Sequence, residues 1–161
     1  MLTRRMALSG GLAALASVNL LRGSGVRAAE EDHVVRSDAE WRAKLTAEQY
    51  AVLRQEGTEP PFTSLLLHEE RKGTFACAGC ASDLFSSSTK FDSGTGWPSF
   101  WAPLDHAVNT HEDRSFFMVR TAVTCRRCDG HLGHVFDDGP KPTGLRYCMN
   151  GLALTFKPAT A

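Results

Sequence analysis

Apolar positions in this chain follow two regimes. Trp41 and Leu45, then Tyr50 and Leu53, recur at helical spacing, and each group follows a reciprocal capping signal. Ser37-x-x-Glu40 and Thr46-x-x-Gln49 both match the box in which two side chains satisfy orphan backbone N–H groups at a helix start. The pattern predicts two short helices, with Gly57 placed to cap the second. Glu59-Pro60-Pro61 excludes helix beyond that point, so the chain enters the main body extended or in a turn.

From Gly73 onward the pattern becomes short alternating segments separated by Gly, Pro, Ser and Asp, which predicts a mainly β fold. Thr74 to Ala76 reads as a strand arriving at Cys77. Phe117, Val119, Thr121 and Val123 read as one face of a strand that delivers Cys125. Leu145 to Met149 and Leu152 to Phe156 read as two more strands, joined by a tight reversal at Asn150-Gly151.

A length of 161 residues with 42% hydrophobic content suits one domain with one core. The formal charge of zero conceals an asymmetry. Arg4, Arg5, Arg22 and Arg27 lie in the first 29 residues, which contain no acid, so the remainder carries 14 basic residues against 18 acidic ones. No basic stripe is left for nucleic acid. Thr3-Arg4-Arg5-Met6-Ala7-Leu8 opens a weakly apolar stretch to Leu21, and Val26-Arg27-Ala28 precedes a plausible cleavage point. Residues 1–29 therefore read as a twin-arginine signal peptide, 30–36 as a linker and 37–161 as the domain. Export to the periplasm through the Tat pathway is expected, without stable membrane insertion after cleavage, because the apolar run is short for a span. An uncleaved anchor or a basic tail is the alternative.

The five cysteines divide into four plus one. Cys77-x-x-Cys80 and Cys125-x-x-Cys128 are two knuckles that together supply four thiolates, the count a structural zinc requires. Two tight disulfides, or a Cys3His site recruiting His131 or His134, are the competing readings. Cys148 remains, in Arg146-Tyr147-Cys148-Met149-Asn150. On a strand, Arg146, Cys148 and Asn150 share a face, placing a cation and an amide beside a thiol. Arg146 or a protonated histidine is then expected to lower the thiol pKa; an inert buried cysteine is the bland alternative. His131 and His134 are three apart, an odd offset, so both serve one face only if Gly133 allows a bulge or the strand begins after His131. Gly94, Gly96 and Pro98 shape a loop that holds Trp97 as an apolar wall.

Taken together, Cys77-x-x-Cys80, SGTGWPSF from Ser93 to Phe100, Cys125-x-x-Cys128, HLGHVFDDGP from His131 to Pro140 and Arg146-Tyr147-Cys148-x-Asn150 resemble the methionine-R-sulfoxide reductase B family. The likeness extends from about Glu56 to Pro158. It implies antiparallel β-sheets, one structural zinc per subunit on the four paired cysteines, and reduction of methionine-R-sulfoxide in oxidised proteins. It also implies Cys148 as nucleophile, His131, His134 and Asn150 at the sulfoxide oxygen, and Trp97 with Arg146 at the substrate. Many members of that family carry a resolving cysteine where this chain has Thr95. The resemblance therefore implies recycling by a thioredoxin-like or other external thiol reductant. A silent zinc-stapled binding domain and a dithiol oxidoreductase are the competing functional classes.

Overall fold

The computed structural model describes residues 33–115 and 118–160. The proposed signal peptide and the first three residues of the linker lie outside these, as does Phe117. Two helices, α1 (Asp38–Lys44) and α2 (Ala47–Gln55), form where the capping signals place them. Ser37 N–H donates to Glu40 Oε2 at 2.8 Å, and Gln49 N–H donates to Thr46 Oγ1 at 3.2 Å. Trp41, Tyr50, Val52 and Leu53 are buried along the inner faces of the two helices. The expected cap at Gly57 falls one residue early: Glu56 takes the left-handed conformation at φ 57°, and Gly57 N–H bonds back to Ala51 O at 2.8 Å.

Among the described residues nine strands follow: β1 (Gly73–Cys77), β2 (Asp83–Ser86), β3 (Lys90–Phe91), β4 (Ser99–Phe100), β5 (Val108–Asp113), β6 (Arg120–Cys125), β7 (His131–Phe136), β8 (Arg146–Met149) and β9 (Leu154–Pro158). They form two antiparallel sheets, one of order β2-β1-β9 and one of order β3-β4-β8-β7-β6-β5. Aromatic rings join them. Phe75 of β1 meets Phe100 of β4 edge-on at 4.9 Å, and Phe85 of β2 stacks on Phe100 at 4.4 Å.

Two strand expectations are corrected. The strand delivering Cys125 begins at Arg120, and Val119 is exposed outside it. Asn150-Gly151 makes no hairpin, because β8 pairs with β4 and β7 whereas β9 pairs with β1. Asn150 keeps φ −65°, whereas a type I′ hairpin needs positive φ, and Gly151–Ala153 forms one turn of 3-10 helix that carries the chain between sheets. No helix of the described residues is long and apolar enough to cross a membrane.

Candidate active site and cysteine cluster

Each cysteine knuckle sits in a turn between paired strands, as the sequence pattern predicts. Cys77 ends β1 and Cys125 ends β6. Four residues further on, Ala81 (φ 61°) and Asp129 (φ 54°) turn the chain back, their N–H groups donating to Cys77 O and Cys125 O at 2.8 Å. The four sulfurs lie within 4.8 Å of one another, with Cys77 to Cys128 at 3.7 Å and Cys80 to Cys125 at 3.5 Å. A disulfide needs about 2.0 Å, whereas a tetrahedral ion with bonds of about 2.3 Å holds its sulfurs about 3.8 Å apart. The residues fit a four-thiolate metal site, and all five cysteines are free of disulfides. Neither His131 nor His134 belongs to the cluster.

Cys148 lies on β8 between two partner strands, opposite His134 of β7 and Ser99 of β4. The bulge that the odd histidine spacing demands is present. Val123 pairs with Gly133 but Thr124 pairs with His131, so Leu132 is the extra residue, and the rings of His131 and His134 meet edge-on at 5.3 Å. Gly133 is obligatory for close approach, since a Cβ there would fall 2.1 Å from Cys148 O.

A cavity of about 120 Å³ opens where Cys148, His134, Asn150 and Trp97 converge, with Phe136, Arg120, Gly133 and Thr58 completing its lining. The Trp97 loop is shaped by Gly94 (φ 69°) and Gly96 (φ 93°), and the indole N–H donates to Glu59 O at 3.0 Å. His131 stands behind His134 rather than at the cavity surface. It is 3% exposed, and neither of its ring nitrogens has a partner. Arg146 is likewise outside the lining. Its Nε and Nη2 donate to Asp138 at 2.8 Å, and its guanidinium lies 4.4 Å from the Phe136 ring.

The electrostatics reverse the expected thiol shift. Burial pushes the Cys148 pKa above the ordinary value, outweighing hydrogen bonds from Thr95 and Ser99 and the charge of Arg146. Burial also lowers both imidazoles. His131 falls to about 4, and His134 is lowered although its bond to Asp113 opposes the change. Near neutral pH the site therefore holds a thiol and two uncharged imidazoles, not a preformed ion pair.

Asp113 was missing from the sequence reading. Its Oδ2 faces His134 Nε2 at 2.8 Å and accepts from Arg120 Nη2 at 2.6 Å. A carboxylate only accepts here, so Nε2 carries the proton in neutral His134 and Nδ1 is its open acceptor. Asp113 closes a polar strand 21 residues before His134, and only the β5–β6–β7 pairing brings them together. No sequence spacing signals that contact. Thr58 and Arg120 were missed for the same reason, whereas Phe136, two residues after His134 on the same strand, had a local signal in the i, i+2 spacing.

A family model for the SelR domain matches residues 45–158. Among curated proteins, the chain is 53% identical over 127 residues to the peptide methionine sulfoxide reductase MsrB of Methanosarcina mazei, covering 78% of this chain and 91% of that protein. It is 54% identical over 129 residues to the protein of that name from Hahella chejuensis, covering 80% and 93%. With the Pseudomonas putida protein of that name, identity is 59% over 120 residues, covering 74% and 90%. The chain therefore belongs to the SelR-domain family, the family of the peptide methionine sulfoxide reductases MsrB.

Proposed function

We propose that this protein is an oxidoreductase that reduces methionine-R-sulfoxide in oxidised proteins to methionine, with Cys148 as the nucleophile. The observation that carries the reading is the cavity itself, where one free thiol meets an imidazole, an amide and an indole. Each supplies a part of the chemistry. The Trp97 and Phe136 rings form an apolar wall for the substrate methyl, and His134 with Asn150 faces the sulfoxide oxygen.

Sulfoxide oxygen is a poor leaving group until protonated, and the site holds the proton it needs on sulfur. Cys148 S–H passes its proton to His134 Nδ1 as substrate enters, and the imidazolium, held by Asp113, delivers it to the oxygen. The Cys148 sulfur attacks the substrate sulfur and forms an S–S bond, while the oxygen, carrying this proton and a second from solvent, breaks away as water. Water then attacks the Cys148 sulfur and loses a proton to solvent as the S–S bond breaks, so the thioether is released, reduced by two electrons, and Cys148 becomes a sulfenic acid, oxidised by two. His131 packs against His134 from behind and keeps its ring in place. Sulfoxide sulfur is a stereocentre, so one methyl wall and one oxygen site on fixed sides of a single nucleophile select one epimer. Family membership supports R.

Recycling then requires an external reductant. Thr95 occupies the place from which a second cysteine would attack, and the four remaining thiols are gathered in the metal cluster. One thiol of a thioredoxin-like partner condenses with the sulfenic acid, releasing water and forming a mixed disulfide, and a second thiol frees Cys148. Zinc is the metal proposed for the cysteine cluster, where it staples the β1–β2 turn to the β6–β7 turn just ahead of His131. Export through the Tat pathway, supported by Arg4-Arg5 and the small residues before Glu30, would place repair of oxidised proteins in the periplasm.

The test is turnover of each epimer of N-acetyl-methionine sulfoxide with dithiothreitol. Wild type is expected to reduce the R epimer and Cys148→Ser to reduce neither, with unchanged metal content. Activity surviving in Cys148→Ser would defeat the assignment. Replacing Arg4 and Arg5 with lysine in an export fusion should hold the protein in the cytoplasm, and continued export would remove the Tat reading.

A further inference from the structure

Glu59 is buried, at 4% exposure, and is the one buried acid among the described residues, although it lies in irregular chain between α2 and β1. A carboxylate leaves water only where dedicated partners replace it. Here every polar atom of the residue has a partner, and two of those partners, Asn150 and Trp97, line the cavity. Its N–H donates to Asn150 Oδ1 at 3.0 Å, and its carbonyl accepts the Trp97 indole N–H at 3.0 Å. One carboxylate oxygen accepts from Gly151 N–H, and the other accepts from Leu152 N–H at 3.1 Å.

The carboxylate answers a specific deficit. Gly151–Ala153 is a helical turn whose N-cap is Asn150, yet the Asn150 side chain makes no capping bond. Its Oδ1 is occupied by Glu59 N–H, and its Nδ2 donates to Leu132 O at 3.1 Å. The first N–H groups of that turn would be orphaned, and Glu59 supplies the acceptors that Asn150 cannot. Asn150 is thereby spared local capping and stays braced between Glu59 and Leu132, with one amide N–H left over. Gly151 belongs to the same arrangement, because a Cβ there would fall 1.8 Å from Ser64 Oγ and 3.2 Å from Glu59 Oε1.

We infer that Glu59 is a positioning residue for the reaction: its carboxylate, capping the turn that follows Asn150, sets where that amide stands relative to Cys148 and Trp97. The inference rests on the reading of the cavity as a reductase site. Glu59 acts through Asn150 and does not line the cavity. Its contacts to Asn150 Oδ1 and Trp97 use main-chain atoms, so a side-chain substitution removes the cap alone.

The test uses the metal-loaded protein with N-acetyl-methionine-R-sulfoxide. Glu59→Gln offers an acceptor to one N–H but turns an amide donor toward the other. It is expected to lower kcat about tenfold or more while leaving KM within about twofold. In single-turnover rates it should cost nothing further once Asn150 is already replaced by Ala, because the two act as one unit. Losses that simply multiply, or an unchanged kcat in the single variant, would overturn the inference. Should Glu59→Gln not fold, Glu59→Asp keeps the charge but draws the carboxylate back from the Gly151 and Leu152 N–H groups, and must lower kcat in the same way; an unchanged kcat there also overturns it. A wild type inactive on both epimers would defeat the functional reading instead. The bracing is then still read without substrate, by exchange of the Asn150 side-chain amide protons in NMR spectra. Faster exchange in the variant supports the role and equal exchange refutes it.

Discussion

Thr95 Oγ1 stands 3.7 Å from Cys148 Sγ, and the same hydroxyl lies 2.8 Å from Ser93 Oγ, which is 2.7 Å from Ser99 Oγ. A thiol in place of that hydroxyl would need to move by about 1.7 Å to reach disulfide distance, within the reach of a rotamer change on the glycine-flanked loop. Thr95→Cys is therefore expected to trap a disulfide with Cys148 after one turnover, detected as two fewer free thiols by mass spectrometry. Unchanged thiol counts after turnover would mean that the loop does not bring position 95 to the oxidised sulfur.

The raised Cys148 pKa makes a kinetic statement. With burial outweighing Thr95, Arg146 and Ser99, the thiolate fraction at pH 7 falls below that of an ordinary cysteine. Iodoacetamide labelling at Cys148, followed by peptide mapping, should be slow at pH 7 and climb only above the usual thiol range. Turnover should nonetheless persist at pH 7, because the substrate completes the proton path through His134. A labelling plateau below about pH 8 would mean that a preformed thiolate does the work.

How much of this was legible depends on range in sequence. Both helices were readable because Ser37 with Glu40, and Thr46 with Gln49, are local contacts that carry their own start signals. The metal cluster was readable because each knuckle is a turn of four residues, and Cys148 because it was the sulfur left over. What failed was non-local. Asn150-Gly151 looks like a hairpin only while Glu59, some 90 positions away, is ignored, and that carboxylate holds the turn in another shape. Likewise Arg146 beside Cys148 suggested a lowered pKa, but the desolvation that reverses it comes from strands β4 and β7 closing on both sides.

Asp113 fixes the tautomer of His134 and stabilises its protonated form. Asp113→Asn retains an acceptor for Nε2 but removes the charge that opposes the burial of His134. The His134 titration, followed by NMR, should move to lower pH, and the single-turnover rate should fall by about tenfold or more. A rate unchanged while the titration moves would separate His134 from proton delivery.

The metal cluster should contribute folding energy directly, since it ties turns 45 to 51 residues apart. Cys80 is the most exposed of the four ligands, so Cys80→Ser disturbs packing least and isolates the loss of metal affinity. The variant is expected to lose metal and more than about 4 kcal/mol of stability. Chelation of the wild type should lower its unfolding midpoint in the same direction. Stability insensitive to both would show that the four thiols do not hold the fold through a metal.

His131 offers a thermodynamic signature of its own. Its folded pKa of about 4 lies below the ordinary 6.5 because burial penalises the charged ring. Between those values the unfolded chain binds a proton that the folded protein refuses, so stability rises with pH through the window and is lost as pH falls from about 6.5 toward 4. The shift corresponds to about 3 kcal/mol at most. Urea midpoints at pH 7 and pH 4.5 should therefore differ more in wild type than in His131→Phe, which packs an uncharged ring against His134. Equal acid sensitivity in the two proteins would mean that the His131 ring takes up its proton inside the folded site, leaving His134 beside a charged neighbour rather than a neutral one.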